Sequence, residues 1–126
     1  MLSEGDIQRI AHRVAGTCSP LVVGTFGSYA VGRAREGSDL DLFVIQAASG
    51  LRRKERRRVA MRPLLAVMNP LDVHVFTPEE FELEALETLS FAWVIARQAR
   101  IYLWTDDARE RLPSLVSHAT WIGVKS

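Results

Sequence analysis

The sequence predicts a domain of α/β (α+β) class, a mixed sheet of four to five strands with helices packed on it. Three observations predict it. Short apolar runs alternate with stretches of helical periodicity along the whole chain. Proline, glycine and asparagine punctuate the joins between them. The length, 126 residues, suits a single domain spanning 1–126 with a real hydrophobic core.

Residues 3–15 read as a helix, with Ile7, Ile10, Ala11 and Val14 at the helical period. Pro20 marks a boundary, and "LVVGTF" (21–26) is a short apolar strand that runs into Gly27-Ser28. "YAVGRAREG" (29–37) is a turn or short helix followed by a loop. "DLDLFVI" (39–45) is the second strand, and its apolar far end predicts a central place in the sheet. "AASG" (47–50) breaks the chain. Residues 51–68 are helical in composition, with Pro63 kinking or ending the helix. "NPLDVHVFT" (69–77) is a third strand, led in by Asn-Pro. Residues 77–99 read as one long helix with Thr77 as N-cap, Pro78 at its first position and Glu80 three residues past the cap. Its stripe is Phe81, Ala85, Leu89, Ala92, Trp93 and Ala96. "RIYLW" (100–104) is a fourth strand, and residues 106–116 a last short helix.

Composition excludes several classes. Apolar content of 48% and charged content of 25% are ordinary for a globular domain, and a net charge of +1 gives no global attraction to nucleic acid. No run approaches the roughly 18 apolar residues of a membrane span. The N-terminus lacks an apolar signal-peptide core, and the single Cys18 allows no internal disulfide, so a cytoplasmic location is expected. Charge is unevenly placed. "RRKERRR" (52–58) holds six basic residues around one acid, whereas Pro63 to Ala96 holds no Lys or Arg and six acids. The arginine run reads as a solvated helix face, a nucleic-acid footprint or a docking surface for an acidic partner.

The chemistry concentrates in "GSYAVGRAREGSDLDLF" (27–43). Asp39 and Asp41 alternate on one strand face, while Leu40, Leu42 and Val44 face the other way into the core. Two carboxylates this close repel unless a cation lies between them, and oxygen ligands suit Mg²⁺. Asp72, near the start of the next strand, is a third carboxylate that joins them if the two strands are neighbours. Gly27 and Ser28, where a strand ends, can offer backbone N–H groups and a hydroxyl to phosphate oxygens. The bland readings are solvated acids at a strand end for Asp39 and Asp41, and a turn aspartate after Asn-Pro for Asp72. His74 shares a face with Asp72 and reads as a hydrogen-bonded polar side chain or as a site residue; Cys18 reads as a plain thiol.

The pattern Gly-Ser, a spacer with further glycine, then Ser-Asp-x-Asp-Leu resembles the signature of the nucleotidyltransferase superfamily that includes DNA polymerase β. The chain's shortness is similar to that of the minimal nucleotidyltransferases, often paired with a HEPN-domain protein. "LDVHVFTPEEFE" resembles the third-carboxylate strand and the helix after it, and "ARIYLW" the last strand. The resemblance implies a polymerase-β-like fold. It implies that Gly27, Ser28 and Ser38 bind nucleotide, and that Asp39, Asp41 and Asp72 are catalytic and hold two Mg²⁺ ions, with Mn²⁺ as the alternative. It implies transfer of a nucleoside monophosphate, AMP from ATP, to a tyrosine of a HEPN toxin for which this chain is the antitoxin. Val31 stands where relatives often have a basic residue, and Arg33 or Arg35 would have to substitute. The alternatives are a binding-only antitoxin with vestigial carboxylates and a small-molecule nucleotidyltransferase of aminoglycoside type. "LSFAWVIA" (89–96) and the tail "SHATWIGVKS" (117–126) are apolar enough to predict an interface, with that partner or with a second copy in a homodimer.

Overall fold

Helix α1 (Glu4–Cys18) begins at a capping box in which Ser3 and Asp6 each accept the other's backbone N–H. Its apolar stripe is buried as its period requires. The structure is a computed structural model that describes residues 1–47 and 49–125, without the side chains of 123–125. Ala48 of the expected chain break and the Val124 side chain of the expected tail patch lie outside the described residues.

Strands β1 (Pro20–Phe26), β2 (Leu40–Gln46), β3 (Leu71–Phe76), β4 (Arg100–Trp104) and β5 (Thr120–Lys125) make one mixed sheet in the order β3-β2-β1-β4-β5. β1 is antiparallel to β2 and β4, whereas β2–β3 and β4–β5 are parallel. The expected placement of β2 inside the sheet holds, and its apolar run is explained by helices on both faces. On one face Leu40, Leu42 and Val44 join the α1 stripe, Val73 and Tyr102. On the other, Phe43 and Ile45 join Phe26, Phe76, Phe81, Ile95 and Leu112. Asp41 lies between Leu40 and Leu42, so it belongs to the second face.

Three expectations need correction: one helix at 77–99, Leu89 in its buried stripe, and one helix at 106–116. Residues 77–99 are two helices, α3 (Pro78–Glu84) and α4 (Phe91–Gln98). Ser90 breaks them. Its hydroxyl donates to the Glu84 carbonyl (2.7 Å) and accepts from the Trp93 N–H (3.1 Å), so it caps α4. Leu89, expected in the stripe, takes a positive φ of 70° and is exposed. Residues 106–116 likewise divide into α5 (Ala108–Arg111) and α6 (Pro113–Val116), because Pro113 opens a new helix and keeps Leu112 out of the helical region. The expectation that Pro63 kinks or ends the 51–68 helix holds: α2 (Arg53–Met61) gives way to a 3₁₀ turn at Arg62–Leu64 that contains Pro63. The tail forms the edge strand β5, with Trp121 edge-on to Trp104 at 5.5 Å and the Arg109 guanidinium 4.3 Å over its ring, while Ile122 stays exposed.

The arginine run is largely used inside the molecule. Arg53 donates to the Val75 carbonyl and to Glu84, and stacks 4.4 Å over Phe76. Arg56 is 5% exposed and grips both Glu80 oxygens at 2.9 and 2.8 Å. Arg57 donates to the Val73 carbonyl and to Asp72. These side chains clamp α2 to β3 and α3. The hydrogen bonds from Arg56 are the chief cause that, against burial, holds the Glu80 carboxyl down to about 2 from 4.5. A depressed folded-state pKa stabilises the fold above pH 4.5, and that contribution disappears as the pH falls toward 2. Glu80→Gln is therefore expected to cost about 2 kcal/mol at pH 7, after allowance for a carboxylate one-third exposed. Thermal melts should show the wild-type advantage closing between pH 4.5 and 2. An advantage that is constant with pH would rule the ion pair out as its source.

No helix among the described residues is long and apolar enough to cross a membrane.

Candidate active site

The register of the sheet assembles the site. Phe26 on β1 stands opposite Asp41 on β2, and Asp41 stands opposite Asp72 on β3. Because β2 and β3 run parallel, matched positions show the same face, so the row Phe26, Asp41, Asp72 lies on the α3–α4 side of the sheet. Asp39 precedes β2 by one residue and is exposed. The two strands are the neighbours that the third carboxylate needs.

Asp41 is the electrostatic centre. Burial raises its pKa, and the charges of Asp39 and then Asp72 raise it further. Asp72 goes the other way. Burial opposes its charge, but hydrogen bonds from Arg57 and from the Val73 N–H, with the charges of Arg57 and His74, bring its pKa below the ordinary value. His74 Nε2 stands 3.4 Å from Asp72 Oδ2. Burial lowers the His74 pKa; Asp72 opposes this and Arg57 and Arg53 add to it.

Gly27 follows β1 with φ +76°, and a Cβ there would lie 2.6 Å from Asp41 Oδ2. Glycine thus lets the backbone lie against the central carboxylate. The Gly27 N–H donates to Gln98 Oε1 at 3.0 Å. Its carbonyl accepts from Ala30 and Val31, and the Ser28 carbonyl accepts from Arg33, so the segment after β1 is a tight turn and no regular helix. Among the described residues' hydrogen bonds none uses the N–H of Ser28 or Tyr29, which leaves those amides as donors for a phosphate. Ser38 closes the far end of the loop: its Oγ accepts from the Arg35 N–H, and its carbonyl accepts from Asn69. Ser38 thus shapes the loop by contacts to protein groups. Val31, Arg33 and Arg35 are all exposed on it.

Among the described residues no group of three or more His, Cys, Asp or Glu side chains stands close enough to hold a metal ion. The reason is visible in the partners: Arg57 takes Asp72, and Asp39 lies at the rim. The donor set still suits a hard cation. Mg²⁺ is commonly bound by one or two carboxylates plus waters and substrate phosphates, with no closed protein cage. The raised pKa of Asp41 marks a place where added positive charge relieves repulsion.

A family model described as "Nucleotidyltransferase domain" matches residues 12–102. The chain belongs to the nucleotidyltransferase domain family. The match runs from within α1 through β4, so it takes in the whole row of site residues. No curated protein matches the chain. A solved structure described as "Crystal structure of the toxin-antitoxin with AMP-PNP" is similar with a TM-score of 0.52 and 17% identity, over 87% of this chain and 84% of that one. At that identity the likeness carries the fold: this nucleotidyltransferase domain has the mixed α/β architecture of a polymerase-β-like member.

Three residues that contact the carboxylate row or its neighbours were not legible as such: Arg57, which holds Asp72, Gln98, which holds Gly27, and Phe91, which packs on Phe26 and His74. Arg57 was one of a charge run and Gln98 a polar residue at a helix end. Phe91 did carry a signal, since it and Trp93 could not both face one core. The Phe91 ring lies 4.4 Å from His74, while Trp93 packs 3.8 Å under the Arg97 guanidinium.

Proposed function

We propose that this domain is a metal-dependent nucleotidyltransferase that moves AMP from ATP onto a tyrosine hydroxyl of a HEPN-domain toxin, and that it acts as that toxin's antitoxin. The observation that carries the reading is the placement of Asp41: opposite Asp72 on a neighbouring parallel strand, with the Gly27 backbone against its carboxylate. Two supports stand beside it, the family and the fold shared with a toxin–antitoxin structure that contains AMP-PNP.

In this reading Asp39, Asp41 and Asp72 would hold divalent metal, whose positive charge would offset the charge on the transferring phosphoryl group. Ser28 and Tyr29 amides, with the Ser28 hydroxyl, hold triphosphate oxygens. Asp72, kept ionised by Arg57, accepts the proton of the attacking phenol. The phenolic oxygen bonds to the α-phosphorus, the bond from that phosphorus to the bridging oxygen breaks, and pyrophosphate leaves. A second reading, an antitoxin that neutralises by binding alone, is favoured by one observation: the Arg57–Asp72 pair withholds the third carboxylate.

The deciding experiment is a gel assay with α-labelled ATP and Mg²⁺, using this protein and the product of an adjacent gene. An Asp39→Ala/Asp41→Ala variant is the control. Label on the partner, absent with the control, is the expected result. Tight binding of the partner without label would establish the binding-only reading.

A further inference from the structure

Phe91 is the first residue of α4, and it is 59% exposed although aromatic. It is not a loose surface ring. Its centroid lies 4.4 Å from that of His74, with 38° between the planes, and 6.2 Å edge-on from Phe26. Phe26 and His74 meet at 5.5 Å. This three-ring cluster stands on the same sheet face as the carboxylates: Phe26 in their row, His74 one row further along β3. An exposed aromatic face therefore lies one side chain away from Asp72.

A capped turn with a positive φ leads into Phe91. Leu89 holds a positive φ, a strained conformation for a bulky side chain, and gains no burial from it. Ser90 fixes the strain by its bonds to Glu84 and Trp93. Leu89 and Phe91 both face outward, while Ala92, Ile95 and Ala96 just beyond them return to the core.

We propose that Phe91 is an acceptor-positioning residue, and that the outer face of its ring stacks on the aromatic ring that carries the attacking hydroxyl. The inference rests on the nucleotidyltransferase reading of the site, with Asp72 receiving the hydroxyl's proton. The side of approach follows from the strand order. The triphosphate is held at Gly27–Ser28, after β1, and in-line displacement places attacking and leaving oxygens on opposite sides of the phosphorus. The acceptor then comes from the β3 side, where Phe91 has its closer contact. An offset or edge-to-face ring pair gives orientation as well as affinity.

The test starts with N-acetyl-tyrosinamide as the probe, titrated into the full chain while the His74 ring protons are followed by NMR. Shifts are expected in the wild type, lost in Phe91→Ala and restored in Phe91→Trp. No shift in the wild type would overturn the proposal. AMP transfer from α-labelled ATP to tyrosine-containing and serine-containing peptides is then compared. In Phe91→Ala the kcat/KM for the tyrosine peptide should fall about 10-fold, with the KM for ATP unchanged and the serine peptide unaffected. A raised KM for ATP would assign the ring to the nucleobase and overturn the proposal. Probe binding that depends on Phe91, without transfer by the wild type to any acceptor, would keep the shelf and overturn the enzymatic reading beneath it.

Discussion

Asp41→Asn is expected to remove transfer activity by about 10³-fold and at the same time to make the metal-free protein more stable. Both effects come from one carboxylate. Asp41 is half-buried on β2, and its pKa is raised by burial and by the charges of Asp39 and Asp72. An acid whose pKa is raised by folding binds its proton more tightly in the folded state. Its ionisation therefore opposes folding, and the penalty grows as the pH rises through the unfolded and then the folded pKa. Asparagine keeps the shape and removes that penalty. At pH 7 in EDTA the variant should melt higher than the wild type. Below pH 3 the two proteins should melt together. A variant that melts lower at pH 7 would mean that Asp41 is a structural acceptor, and the electrostatic reading of the row would fail.

That row shows why the centre of the site was legible. Strand alternation puts Asp39 and Asp41 on one face whatever the fold, and the apolar residues between them say which face is core. Gly27 was legible as a backbone donor where the first strand ends, beside Ser28. Only the fold could show that it approaches Asp41, which lies across a strand pair. Asp72 needed one further fact, that β2 and β3 are neighbours. The likeness of the motif to a known family supplied that expectation, and the register made it a position opposite Asp41.

What the sequence hid has a common cause. Arg57, Gln98 and Phe91 act on residues far along the chain, through side chains whose local pattern has other uses. A run of arginines on a helix reads as solvated surface, yet Arg53, Arg56 and Arg57 each reach a carbonyl or carboxylate of β3 or α3. The long helix at 77–99 failed for a different reason. Its period survives the break, because Phe81, Ala92 and Ala96 all return to one core. Periodicity reports the buried face and is blind to a short outward turn at Leu89 and Ser90. The same holds at Leu112, where both flanking helices bury residues, Ala108 and Leu115, in the same core. Pro113 was the signal there.

Gly27→Ala is the second change with a large expected effect, and its design separates backbone from contact. The positive φ alone costs about 1 kcal/mol for alanine. Added to this, the new Cβ would stand 2.6 Å from Asp41 Oδ2, and the carboxylate has to move off the row it shares with Phe26 and Asp72. The crowded atom is the end of a side chain that can turn aside, so the total is expected to reach about 2 kcal/mol, with activity lowered about 100-fold. Gly32→Ala is the matched control: its φ is +75°, but nothing lies within 4 Å of the added carbon. It should lose only the backbone share, about 1 kcal/mol. The decisive comparison is a double-mutant cycle in denaturant. On an Asp41→Ala background the clash is gone, so Gly27→Ala should shrink to the cost of Gly32→Ala, a coupling of about 1 kcal/mol. If Gly27→Ala costs the same on both backgrounds, the glycine serves the turn alone. The close approach of β1's end to Asp41 would then have no part in holding the carboxylate, and the site's geometry would have to rest on the β2–β3 register.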